Sequence, residues 1–326
     1  MNLLRRHFLH LAATAVALPA VSRIARAQIY PTRPVRVIVP YAPGGPTDVT
    51  ARLIAQRLSE QIGKQFFVAN IAGASGNIGM GQAAKAAPDG HTVIVVAQSY
   101  VVNPALFSKV PYDPVKDFDP VTLAVTTPMV LTVHPSLPAN TVKDLVALIK
   151  ANPGKYSYAS GGLGSPGHLV GEQFRLSFGL DLVHIPYNSG GLAIGSAVAS
   201  HTPICIVAAA PSVPQVQESK LRALAVTGKT RTQALPGVPT MAESGYPDID
   251  GDNWTAVLVP AGTPKEIVAL LNREIVKIIA LPDMKKLMAE LGFDPVANTP
   301  DEFAAQIKSE IAKWAAVIKT ANIKVE

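Results

Sequence analysis

The stretch Val39–Asp48, VPYAPGGPTD, joins two different hydrophobic periodicities. Before it stands the apolar run VRVIV (Val35 to Val39), which reads as a buried strand. After it, Ala51, Ile54, Ala55, Leu58 and Ile62 fall on one face of a 3.6-residue period, which predicts a helix. The chain therefore turns at Gly44-Gly45. One reading of so bare a turn is a tight connection. The other is a site where main-chain N–H groups and a helix N-terminus approach an anion with no Cβ in the way.

Outward from this unit, strand-like runs and helical patterns alternate. QFFVAN (65–70) and HTVIVVA (91–97) follow, with a Gly-rich loop and a helix reaching Ala87 between them. After residue 120 the pattern restarts with MVLTVHP, a helix over Val142 to Lys150, YSYAS, a helix over Gly167 to Phe178, and LVHIPY. A helix near Gly191 to Ser200, ICIVAAA and RALAVTG complete this second set. The alternation predicts parallel sheets covered by helices, in two α/β domains. Beyond NWTAVLVPAG the chain is helical, with TPKE (Thr263 to Glu266) and TPDE (Thr299 to Glu302) as expected capping boxes. These helices are expected to return to the first domain, so that the chain crosses twice, near residues 126 and 250, with a cleft between the lobes.

The first 27 residues read as an export signal: Arg5 and Arg6, an apolar run from Leu11 to Val21, then ARA (Ala25 to Ala27). RRHFLH is similar to a twin-arginine signal, although Leu4 departs from its usual form and Sec export stays open. Cleavage is expected after Ala27. The leader holds four arginines and no acid, so the remainder has 29 − 4 = 25 basic and 23 acidic side chains, a net of +2. That balance excludes the electrostatic footprint of a nucleic-acid binder. The single cysteine, Cys205, has no disulfide partner and is expected to be buried and inert.

Catalytic signatures are missing from the sequence. SGGLGSPGHL (Ser160 to Leu169) satisfies a dinucleotide-type glycine spacing, but the strand after it ends in Tyr187-Asn188 where the ribose-binding acid belongs. Ser165 lacks the glycine two residues before it that a nucleophile elbow needs. The seven histidines show no metal-binding spacing. His168, at the start of a helix, reads either as a cleft residue or as a local structural contact. Tyr41, Tyr187 and Trp254 stand at strand ends or crossings, placed either for packing or to wall a small-molecule pocket. PYAPGGPTD and GGLGSPGH are matched strand-to-helix turns, one per domain. Facing each other across a cleft, they would grip a carboxylate with two helix N-termini.

Over nearly its full length after the leader, the chain resembles the Bug-type substrate-binding proteins of tripartite tricarboxylate transporters. The resemblance rests on YPTRPVRVIVPYAPGGPTDVTARLIAQRL, GASGNIGMGQAAKAAPDGHT, NPALF, HLVGEQF, HIPY, LPGVPTMAESGYP and VPAGTP, in that order. It implies a periplasmic-binding-protein-like fold of type II, with two α/β lobes, a ligand cleft and two hinge crossings. The implied organisation is a leader over 1–27, one lobe from 28–126 plus 250–326, and a second over 127–249. It also implies a monomeric, non-enzymatic periplasmic receptor without cofactor or metal that delivers a small carboxylate to a membrane permease. Alternatives of other classes are a periplasmic sensor or interaction protein and an exported enzyme using the same cleft. Carried onto this chain, the ligand residues are Gly44, Gly45 and Asp48 from the first loop and Gly164 and Ser165 from the second, with Ser99 and Tyr187. Tyr41 joins them as a wall of the pocket. Two departures, Pro203 in SHTPIC and Asn188 after Tyr187, bear on ligand identity.

Overall fold

The computed structural model describes residues 30–324; the leader and its cleavage site lie outside them. A compact unit that begins at Arg33 carries every element below. Strand β1 (Val35–Val39) is buried at four of its five positions. It lies between two parallel neighbours, β2 (Phe66–Asn70) and β3 (Thr92–Ala97), and a strand covered on both faces needs a continuous apolar run. Helix α1 (Pro46–Ile62) starts at a proline and ends at Gly63 in the left-handed conformation, burying Ala51, Ile54, Ala55 and Leu58. Helices α2 (Asn77–Ala84) and α3 (Ser99–Leu106) and strand β4 (Phe118–Thr127) follow.

Only Pro128 separates β4 from β5 (Met129–Val133), which belongs to another sheet. Then come α4 (Val142–Lys150), β6 (Tyr156–Ser160), α5 (Pro166–Phe178), β7 (Leu182–Pro186), α6 (Gly190–Val198), β8 (Ile204–Ala208), α7 (Ala209–Gln217) and β9 (Arg222–Val226). The chain returns through β10 (Asn253–Pro260) and ends in α8 (Lys265–Ala280), α9 (Pro282–Glu290), the short β11 (Asp294–Pro295) and α10 (Pro300–Thr320). Helices α8 and α10 pack on β4, and α10 also touches α3 and α5, so it contacts helices beside both sheets.

The sheets share one plan. The first runs β11-β4-β10-β3-β1-β2 and the second β7-β6-β8-β5-β9. In each, three parallel strands are followed by one antiparallel strand, β10 in the first and β5 in the second. The alternating pattern predicted parallel pairing only. Two of the exceptions are the strands that enter directly after the chain has passed from the other sheet, without the crossover helix that parallel pairing requires, and the third is the two-residue β11, antiparallel to β4 at the sheet edge. A continuous apolar cluster joins the halves, from Ile38 and Ile94 through Leu106 to Leu169, Phe174 and Ile206.

The two expected capping boxes differ. Thr299 and Glu302 form theirs in full at α10. Thr263 does not cap α8; its hydroxyl donates to the Pro260 carbonyl, and Pro264 takes the cap position. A third box, Thr141 with Asp144, starts α4. Cys205 is fully buried, and burial pushes its thiol up to about 12.

Candidate functional site

The carboxyl ends of β1, β3 and β6 each lead into a helix, the position at which open α/β sheets present ligand sites. Between the halves lies a cavity of about 290 Å³. Its first wall is the β3–α3 turn and the helix after it: Ala97, Gln98, Ser99, Val102, Asn103, Leu106 and Phe107, with Ser75 beside them. The opposite wall is Leu163, Gly164, Ser165 and Pro166 of the β6–α5 loop, and Asn253 closes one end. Among these lining residues there is no charged side chain.

Of the residues expected at the site, Ser99, Gly164 and Ser165 line this cavity. Tyr41 stands directly behind Ser99, its hydroxyl 2.6 Å from Ser99 Oγ and accepting the Ala97 N–H at 3.1 Å. Burial pushes that phenol up to about 12 against both bonds, so it is a neutral hydrogen-bonding group. Gly44, Gly45 and Asp48 are not among the lining residues. They build the start of α1, where Gly45 is the cap residue and no side chain caps the first turn. Asp48 Oδ2 accepts from the Gly44 N–H and from Arg52 Nε, each at 2.9 Å, and Oδ1 accepts from Asn70 Nδ2 at 2.8 Å. Burial opposes its charge, yet Arg52, Gly44 and Asn70 hold it down to about 2. Asp48 is thus a brace for the glycine turn. Tyr187 also points elsewhere, its hydroxyl 2.6 Å from Ser196 Oγ and 3.0 Å from Thr202 Oγ1. Thr202 lies in the departure segment SHTPIC, so that segment serves the internal packing of the second half.

The second loop is braced from beneath. Gly164 takes a left-handed φ of 71° and donates its N–H to His168 Nδ1 at 3.0 Å. Ser165 is the N-cap of α5, its Oγ accepting from the His168 N–H. The His168 ring stacks on His184 at 3.8 Å, and His184 Nε2 lies 2.7 Å from Ser160 Oγ at the base of the loop. Burial lowers both imidazoles to about 4; Arg175 adds to this for His168, and His168 does so for His184. Both rings are neutral at ordinary pH. His168 is therefore the local structural contact, fixed by a sequence spacing of four from Gly164. A Cβ at Gly164 would lie 2.7 Å from Leu106 Cδ1, which brings the two walls to within one carbon of each other.

Such a cavity can hold a small molecule by hydrogen bonds and apolar contact. The hydroxyl of Ser165 meets the main chain of His168 rather than its ring. Among the described residues, no cluster of side chains is arranged to hold a metal ion, and no helix is long and apolar enough to cross a membrane. Gln98, Asn103 and Asn253 are lining residues that sequence reading missed. The β3–α3 turn, AQSY, carries no glycine and no charge, so only its position after a third parallel strand marks it.

Residues 50–323 match the model of the tripartite tricarboxylate transporter family receptor. The protein encoded in the tcbD–tcbE intergenic region of a Pseudomonas species is 38% identical over 94% of this chain and 92% of its own length. BugT of Bordetella pertussis is 36% identical over 95% of this chain and 96% of its own. Among solved structures, an R. palustris protein with adipate is 34% identical, covers 91% of this chain and 100% of its own, and superposes with a TM-score of 0.75. MatC from Rhodopseudomonas palustris with bound malate is 30% identical over 89% of this chain and 100% of its own, with a TM-score of 0.71. Both sheets, the cavity between them and these matches lead to one conclusion: the chain belongs to the receptor family of the tripartite tricarboxylate transporters, whose fold is a two-lobed solute-binding fold.

Proposed function

We propose that this protein is the periplasmic receptor of a tripartite tricarboxylate transport system, which captures a small carboxylate between its lobes and delivers it to a membrane permease. The observation that carries the reading is the uncharged cavity whose walls come from both halves of the chain, at the ends of parallel strands. The ligands named for two relatives, adipate and malate, support the carboxylate class. In this reading residues 1–27 direct export, one lobe comprises 28–126 and 250–326, the other 127–249, and the mature protein acts as a monomer without a cofactor. Ser99, Gly164 and Ser165 face the ligand; Tyr41 braces the first of these, Gly44 and Asp48 fix the turn before α1 so that Gly45 offers its N–H at the margin, and Tyr187 braces the second lobe from within.

Native mass spectrometry of the protein purified from its host periplasm tests this directly. A co-purified small carboxylate is expected, with the chain beginning near Gln28. Adipate and malate are then added to the stripped protein, and binding must raise its melting temperature by mass action. A protein that neither retains nor responds to any carboxylate is not this receptor. Steady conversion of a bound carboxylate to product would make it an enzyme instead.

A further inference from the structure

The cavity is graded from a polar end to an apolar one. The side of α3 that lines it carries Ser99, Val102, Asn103 and Leu106, spaced i, i+3, i+4 and i+7, so they form one helix face about 10 Å long. At the start of this face, Ser99 stands two residues beyond the end of β3. Asn253 lies across from it, because β10 pairs with β3 at Thr255 and Ala97. At the other end the lining is Leu106 and Phe107, and Leu163 arrives there from the opposite wall, next to Gly164, whose Cβ would press on Leu106. Leu163 lines a cavity and is nevertheless 56% exposed. Its neighbours Gly162 and Gly164 have φ values of 126° and 71°, which glycine alone takes freely, so the loop holds the leucine out. A leucine so placed has apolar surface still to bury.

Resting on the receptor reading above, we propose that the ligand is a carboxylate with one charged end and an apolar body, alkyl or aryl, and that Leu163 is the residue that selects it. One carboxylate can be met at the polar end, where Ser99 and Asn253 stand and α3 begins. A second carboxylate at the far end would lie among Leu106, Phe107 and Leu163, with no cationic side chain in the lining to offset its lost hydration. A methyl group or ring edge in that place covers the three side chains and takes their apolar surface out of water. Adipate and malate, the ligands named for two relatives, carry a carboxylate at each end, and this chain departs from them at the second.

The test is calorimetric titration of the stripped mature protein, at a pH where every carboxyl group is ionised, with two matched pairs: hexanoate against adipate, and benzoate against terephthalate. Within a pair the chain or ring is the same and only the far end differs. In each pair that binds, the single-ended member is expected to bind about tenfold tighter or better. Leu163→Ser should weaken hexanoate about fivefold, leave adipate within about twofold, and make the heat-capacity change for hexanoate less negative. Because Leu163 is exposed, the ligand-free melting temperature should hold. Adipate binding to the unmodified protein as tightly as hexanoate, or more tightly, overturns the proposal while the receptor reading stands. That comparison needs no variant to fold. A hexanoate affinity unchanged in Leu163→Ser takes the selection away from this residue and also overturns the proposal. If none of the four probes binds, the co-purified ligand decides: a single-ended apolar acid supports the proposal, and one with two or more carboxylates overturns it. If no probe binds and no carboxylate co-purifies, the receptor reading itself is wrong.

Discussion

Gly44 and Gly45 are neighbours with opposite requirements. Gly44 has a φ of +85°, a conformation that costs any residue with a Cβ, whereas Gly45 sits at −77°, where every residue is at ease. A Cβ on Gly45 would find its nearest atom, the Ala42 carbonyl oxygen, at 3.9 Å. Gly44→Ala should therefore cost about 1 kcal/mol, or about 2–4 °C in melting temperature, while Gly45→Ala should melt with the unmodified protein. Paired thermal melts of the ligand-free variants check this, and equal losses would show that the turn does not distinguish the two positions. At this scale the sequence was half legible. The turn could be read from its glycines because backbone freedom is a local property. The role of Asp48 could not, because its partner Asn70 is on a neighbouring strand and only the folded sheet brings the two together. Gln98 was invisible for a related reason: only the fold places it in the cavity wall.

Helix starts depend on the few residues around them, and the second cavity wall is a helix start. Ser165 caps α5 and also lines the cavity. Ser165→Ala should cost about 1 kcal/mol of stability as well as affinity, and Ser165→Asn, which can cap, should recover most of the stability. Urea unfolding of both variants separates the two contributions; an alanine variant as stable as the original would remove the cap from the account. The capping boxes show how far such local signals reach. TPDE and TPKE look alike, yet only the first forms, because Thr263 lies at the end of β10 and finds the Pro260 carbonyl instead. The helices that were predicted, such as α4 and α5, were accordingly legible to within a few residues, whereas α3 (Ser99–Leu106) and α7 (Ala209–Gln217) were not expected at all. The order of strands was not, since nothing in β5 or β10 announces that the strand has just arrived from another sheet.

Across the whole molecule, the two passages between the lobes are tied by one hydroxyl. Thr227 Oγ1 accepts the Met129 N–H at 2.9 Å and donates to Asp252 at 2.6 Å. Burial pushes Asp252 up to about 6; the bond from Thr227 works against this, and the carboxylates of Asp294, Asp250 and Glu310 reinforce it. The folded protein therefore binds this proton more tightly than the unfolded chain does. The stabilisation from Asp252 is complete below the ordinary carboxyl value and is lost as pH rises through about 6. His168 and His184 act in the opposite sense: their contribution is present above the ordinary imidazole value and lost as pH falls through about 4. The difference between proteins isolates the aspartate. Asp252→Asn should gain in melting temperature on the unmodified protein as pH is raised from 4 to 7, and a constant difference across that range would count against an ionisable group at the passage.

The shared sheet plan also sets a timetable. Strands β5 to β9, residues 129–226, form the second sheet from one uninterrupted stretch of chain. The first sheet has a gap between β3 and β4 until β10, ending at Pro260, arrives to fill it. A nascent chain made from its amino terminus thus holds its first four strands in waiting while the later-made sheet closes. The usual amino-terminal-first order is reversed. Chains halted just short of β10 should yield to protease a resistant core drawn from residues 129–226, with the earlier segment digested.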